Sequence, residues 1–131
     1  MSLDLSSFIK AISSLEQALH EHDKRPNAFI RDACIQRFEY TYELAWKMLK
    51  RFLEATSANL VEIDEMSFQT LIRSGSEKGL ILNGWDIWAA YRKARSTTSY
   101  VYDEVKANEV FAVIPNFLIE AQYLLKKLQA A

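Results

Sequence analysis

The chain has 131 residues, half of them hydrophobic and a quarter charged, with 3 glycines, 2 prolines and a formal net charge of −1. That composition is ordinary for a globular domain able to bury its own core, and it excludes a turn-dense β fold and a disordered chain. The near-zero charge gives no global pull toward nucleic acid or anionic membranes, and the single Cys34 excludes an internal disulfide and reads as a buried apolar cysteine. No stretch approaches the roughly 18 apolar residues of a membrane span. With no signal-peptide pattern at the N-terminus, a soluble cytoplasmic protein is expected.

Leu3 to Asp23 is predicted as the first helix, because Leu5, Phe8, Ile12, Leu15 and Leu19 recur every three or four residues. His20 and His22, two apart at its end, point to different sides of a helix and cannot share a metal; their neighbours Glu21 and Asp23 favour solvent exposure. Pro26 suits a helix start, and Arg31–Leu53 contains neither Gly nor Pro. At 100° per residue, Ile30, Ala33, Cys34, Phe38, Thr41, Ala45, Met48 and Phe52 fall in one arc. Ile35, Tyr42, Trp46, Leu49 and Leu53 make a second stripe beside it. The combined apolar surface is wider than the ~100° stripe of a surface helix. One part of it should meet the core, and the other needs more of the same chain or a second copy.

Periodicity is lost over Ala55–Met66, and Asp64 or Ser67 is expected to cap a third, short helix carrying Phe68, Leu71 and Ile72. Gly75 and Gly79 mark its weak spot and its stop, and Asn83-Gly84 is a turn between helices. Trp85–Arg95 is predicted as a fourth helix, with Trp85, Trp88 and Ala89 on one side and Arg92 one turn on. It loosens at Ser96-Thr97-Thr98-Ser99, whose hydroxyls compete for local backbone bonds. Flanked by Arg92, Lys93, Arg95, Tyr100 and Tyr102, this is the most chemically pointed stretch, although residue physics alone favours a capped connection with solvated basic groups. Asp103 caps a last helix reaching about Gln129, with Val105, Phe111, Ile114, Leu118, Ala121, Leu125 and Leu128 along one side. Pro115 should kink or break it near Phe111–Ile114. The fold class is all-α: an up-and-down bundle of about five helices in a single domain spanning residues 1–131.

Of recognisable chemistry there is little. No His-x-x-x-His, Glu-x-x-His or cysteine pair suggests a metal, no glycine-rich loop suggests a nucleotide cofactor, and no Ser–His pair is suggested, so neither metal nor cofactor is expected.

Arg31–Lys50, RDACIQRFEYTYELAWKMLK, resembles the second-helix signature of the nucleotidyltransferase substrate-binding proteins, the HepT-like branch of the HEPN superfamily. The resemblance continues through Ser67–Leu80, Gly79-Leu80-Ile81, Trp85 and Ala94–Glu104, ARSTTSYVYDE, and so spans most of the chain in order. It implies a five-helix HEPN-like bundle that forms a homodimer and pairs with a small MNT-type nucleotidyltransferase. Many such pairs are toxin–antitoxin systems in which the HEPN member cuts RNA without a metal.

The motif of that family is Arg, four to six residues, then His, commonly followed by x-Tyr. Arg95 matches the Arg, Ser96 the polar position after it, and Tyr102 the final Tyr; the His position holds Tyr100, and no histidine follows Arg95. An imidazole exchanges protons near neutral pH, whereas a phenol, with a pKa of about 10, is a poor base there. The resemblance therefore implies a binding protein in which Arg92, Arg95 and Ser96 hold a nucleotide or phosphate and Tyr102 stands as an acceptor for nucleotidylation. The alternative is a ribonuclease toxin in which Arg95 and Tyr100 form an altered catalytic pair.

Overall fold

The computed structural model describes residues 3–131. Five longer helices and one short one account for most of them: α1 (Ser6–Lys24), α2 (Ala28–Thr56), α3 (Leu60–Glu65), α4 (Phe68–Glu77), α5 (Trp85–Thr97) and α6 (Glu104–Ala130), with a 3₁₀ turn at Thr98–Tyr100. Their starts follow from local chemistry. Asn27 accepts from the Ile30 amide at the head of α2, Asn59 from Glu62 at α3, Ser67 from Thr70 at α4, and Asp103 from Val105 and Lys106 at α6. Gly79, at φ 74°, takes the left-handed conformation that ends α4 and returns the chain toward Leu80 and Ile81.

The axis of the molecule is α2. It packs along α1 and α6 and also touches α3, α4 and α5. Both of its apolar stripes are used: Cys34, Phe38, Thr41, Ala45 and Met48 are buried, and so are Ile35, Tyr42, Leu49 and Leu53. The wide apolar surface therefore finds its cover within one chain, and only Ile30, Ala33, Trp46 and Phe52 stay half-buried. Phe38, Tyr91, Trp88 and Phe117 meet edge to face, with ring centroids 5.1 Å apart for Phe38–Phe117, 5.2 Å for Tyr91–Phe117 and 5.3 Å for Trp88–Tyr91. Burying one such ring contributes about 1.5–3 kcal/mol.

Several expectations need correction. The unpatterned stretch before Ser67 holds a helix of its own, α3, too short for a periodic signal. The last helix runs unbroken through Pro115, which lies exposed on its outer side while Ile114 and Phe117 are buried on the inner one. Val105, placed with the apolar side of that helix, is 67% exposed; Val110, Phe117 and Leu124 are buried in α6 instead. His22 is half-buried, its ring centroid 4.5 Å from that of Phe111. Cys34 is buried as expected, and burial pushes its thiol up to about 11, which leaves it inert.

Two buried charged residues tie distant segments together. Arg31, 7% exposed, donates from Nη1 and Nη2 to the two carboxylate oxygens of Glu104 at 2.7 and 3.0 Å, and Nη1 also bonds Asn108 at 3.2 Å. This fork joins the start of α2 to the start of α6, immediately after the Arg95–Tyr102 segment. Glu120, fully buried on α6, accepts from the Leu82 and Asn83 amides at 2.8 and 3.1 Å and from the Asn83 side chain at 2.9 Å. It holds the connection between α4 and α5.

Candidate functional site

The last turns of α5 carry Arg92, Arg95 and Ser96, and the 3₁₀ turn that follows carries Tyr100. The hydroxyl-rich run ends the helix much as its chemistry predicts. Thr97 Oγ1 donates back to the Lys93 carbonyl at 2.9 Å, and Thr98 Oγ1 to the Arg95 carbonyl at 2.7 Å. These bonds tighten the backbone but do not stop α5 at Arg95, and the helix continues to Thr97.

Arg95 is about one-third exposed and is held from several sides. Its Nη1 donates to Thr98 Oγ1 at 3.1 Å and lies 3.8 Å from Glu39 Oε2. Its Nε lies 3.2 Å from Glu43 Oε1, an ion pair outside hydrogen-bond alignment. Glu39 and Glu43 are one turn apart on α2, so both carboxylates face the same arginine. Glu43 is itself fixed, because its other oxygen accepts from the Trp46 indole at 3.1 Å. The second arginine is placed differently: Arg92 is exposed, and its guanidinium carbon sits 5.0 Å from the Phe68 ring centroid. Phe68 in turn meets Trp46 and Trp85 edge-on. Both arginines therefore border one aromatic cluster formed by α2, α4 and α5.

Tyr100 is 51% exposed, with the Lys106 ammonium 5.9 Å from its ring centroid. Tyr102 is 86% exposed in the short turn before Asp103. Arg92, Arg95 and Ser96 thus share the last turns of α5, the Tyr102 side chain is open to a second molecule, and His22 contacts Phe111. An apolar cleft of about 220 Å³ between α5 and α6 reaches Lys93 and Thr97. Its lining includes none of Arg92, Arg95, Ser96, Tyr100 or Tyr102, so it lies apart from them. Among the described residues no group of three or more His, Cys, Asp or Glu side chains is set to hold a metal ion. The residues missed by sequence reasoning are Glu39, Glu43, Trp46 and Lys106. For the first two a signal existed in their four-residue spacing within the Arg31–Lys50 block, but nothing in that spacing pointed to Arg95.

Residues 3–130 match the family described as nucleotidyltransferase substrate binding protein like. The chain belongs to this family. A curated relative of this nucleotidyltransferase substrate-binding family member is the probable ribonuclease HepT of Haemophilus influenzae, 36% identical over an aligned length of 137 positions, gaps included, that covers 97% of this chain and 92% of that protein. A solved structure from Haemophilus influenzae, described as revealing the fold of a substrate binding domain of a nucleotidyltransferase, superposes with a TM-score of 0.88 at 36% identity, covering 96% of this chain and 99% of that one. A Thermus thermophilus protein does so with a TM-score of 0.75 at 30% identity, over 92% and 98% of the two chains. The all-α class and the family expected from the Arg31–Lys50 and Ala94–Glu104 blocks are therefore correct. Among the described residues no helix is long and apolar enough to cross a membrane.

Proposed function

We infer that this protein is the non-catalytic, homodimeric partner of a small MNT-type nucleotidyltransferase in the cytoplasm. It holds a nucleotide or phosphate at Arg92, Arg95 and Ser96 and offers Tyr102 as the acceptor hydroxyl. The observation that carries this reading is Tyr102 itself, 86% exposed and seven residues beyond Arg95, whose guanidinium forks onto oxygen pairs. A transferase needs an acceptor it can reach, and a guanidinium binds the oxygens of the phosphate being delivered. Incubation with the partner enzyme and ATP should transfer one adenylyl group to the native protein, a gain of AMP less water with pyrophosphate released, and none to Tyr102→Phe. Addition that persists in Tyr102→Phe would move the acceptor elsewhere, with Tyr100 as the next hydroxyl to test. Light scattering at micromolar concentration should report a dimer, and a monomer would remove that part of the reading.

The second reading is an RNA-cutting toxin of a toxin–antitoxin pair, favoured by the relative described as a probable ribonuclease. Its difficulty is chemical. The position of the base holds Tyr100, and a phenol is a poorer proton-transfer group than an imidazole. Purified protein incubated with cellular RNA without metal should leave it intact, while Tyr100→His should begin to cut. Cutting by the native protein that Arg95→Ala abolishes would establish the ribonuclease reading in place of the first.

A further inference from the structure

We propose that Glu39 and Glu43 set the charge of the Arg95 site, so that it accepts a singly charged phosphate ester and rejects a doubly charged one. The proposal rests on the reading of Arg95 as a phosphate ligand, and it assigns to two carboxylates of α2 a role in choosing that ligand.

Arg95 is not a free cation. Glu43 Oε1 lies 3.2 Å from its Nε, Glu39 Oε2 lies 3.8 Å from its Nη1, and Thr98 Oγ1 accepts from Nη1 at 3.1 Å. Among the described residues Nη2 makes no hydrogen bond, so it is the part of the fork left for a ligand. Glu43 cannot simply swing aside, because Trp46 Nε1 holds its other oxygen at 3.1 Å and the Trp46 ring packs edge-on against Phe68. Glu39 stands beyond hydrogen-bond range and acts through its charge. Arg92 adds the second positive charge of the neighbourhood, over Phe68.

Two guanidinium groups and two carboxylates sum to zero. A typical phosphate site of two arginines offers two positive charges and rewards each negative charge on the ligand. Here the second charge of a phosphate monoester gains no net attraction, yet it must still shed its hydration, and it faces Glu39 and Glu43 across the guanidinium. A phosphodiester carries only the single charge that Nη2 can bond. At a partly exposed surface, removing one carboxylate beside the phosphate-binding arginine changes the ligand's affinity by about tenfold per ligand charge.

The test uses the full chain and two ligands that share base and sugar, adenosine 5′-phosphate and its methyl ester. At about pH 8 they differ by one charge, the second phosphate ionisation lying near 6. Calorimetric titration of the native protein should show the methyl ester binding at least as tightly as the monoester. Glu43→Gln and Glu39→Gln should each shift the preference toward the monoester by about tenfold; the second variant removes no hydrogen bond and serves if the first disturbs Trp46. Arg95→Ala should abolish binding of both ligands. An unchanged preference in both glutamine variants, with binding still dependent on Arg95, would overturn the proposal and leave Arg95 as the phosphate ligand. Binding that survives Arg95→Ala, or no binding of either ligand to any form, would overturn the phosphate reading and this proposal with it.

Discussion

At Glu104 the consequences of one side chain can be followed from chemistry to stability. The Arg31 guanidinium, donating to both of its oxygens, holds the Glu104 carboxyl below its ordinary value of 4.5. The folded state therefore binds this proton less readily than the unfolded one. The resulting stability is present above the ordinary value and is lost as pH falls through the lowered one. Thermal melts between about pH 3 and 6 should show a steep acid limb in the native protein and a shallower one in Glu104→Gln. An identical slope would mean that other carboxylates carry the acid sensitivity. Glu120 is a buried carboxylate that serves as an internal cap for the Leu82 and Asn83 amides. Glu120→Ala leaves those donors without their acceptor and should cost about 2 kcal/mol in a urea melt, with Glu120→Gln, which keeps one oxygen, costing less.

At the scale of helices, much of the fold is legible because apolar spacing reports burial directly. Both stripes of α2 lie where the 100° wheel places them, and the caps at Ser67 and Asp103 are the residues their chemistry predicts. What is lost has physical reasons. A helix of six residues, α3, gives no period to read. Pro115 removes one bond on an exposed side, and the buried residues around it keep α6 continuous. The candidate site is legible only in part, since Arg95 and Tyr102 are proposed from their motif while the counter-charges Glu39 and Glu43 arrive by tertiary contact from α2, far upstream in the chain. Gly75 in α4 marks another contact invisible to sequence. A Cβ there would sit 2.9 Å from Ile81 Cγ1 and 3.1 Å from both methyl carbons of Leu49, in the buried core. The gain of about 1 kcal/mol in helix propensity should be outweighed by an overpacking cost of about 1–3 kcal/mol, leaving Gly75→Ala less stable in denaturant melts. A more stable variant would show that Leu49 and Ile81 repack freely.

For the molecule as a whole, α2 is the shared neighbour of the other elements, and the motif lies where α5, α6 and the middle of α2 converge. The Arg31 fork fixes the beginning of α6, and Glu43 with Trp46 fixes the end of α5, so the exposed Tyr100–Tyr102 turn hangs between two held points. The grip of Glu120 has a kinetic meaning as well. The amides of Leu82 and Asn83 belong to a loop, where protection from solvent hydrogens ordinarily comes late and weakly, yet their acceptor is a side chain 38 and 37 residues further on. They can slow their exchange with deuterated water only while α6 is docked. Two loop protons thereby become a clock for the seating of the last helix, and Glu120→Ala should set that clock running at the rate of an open chain.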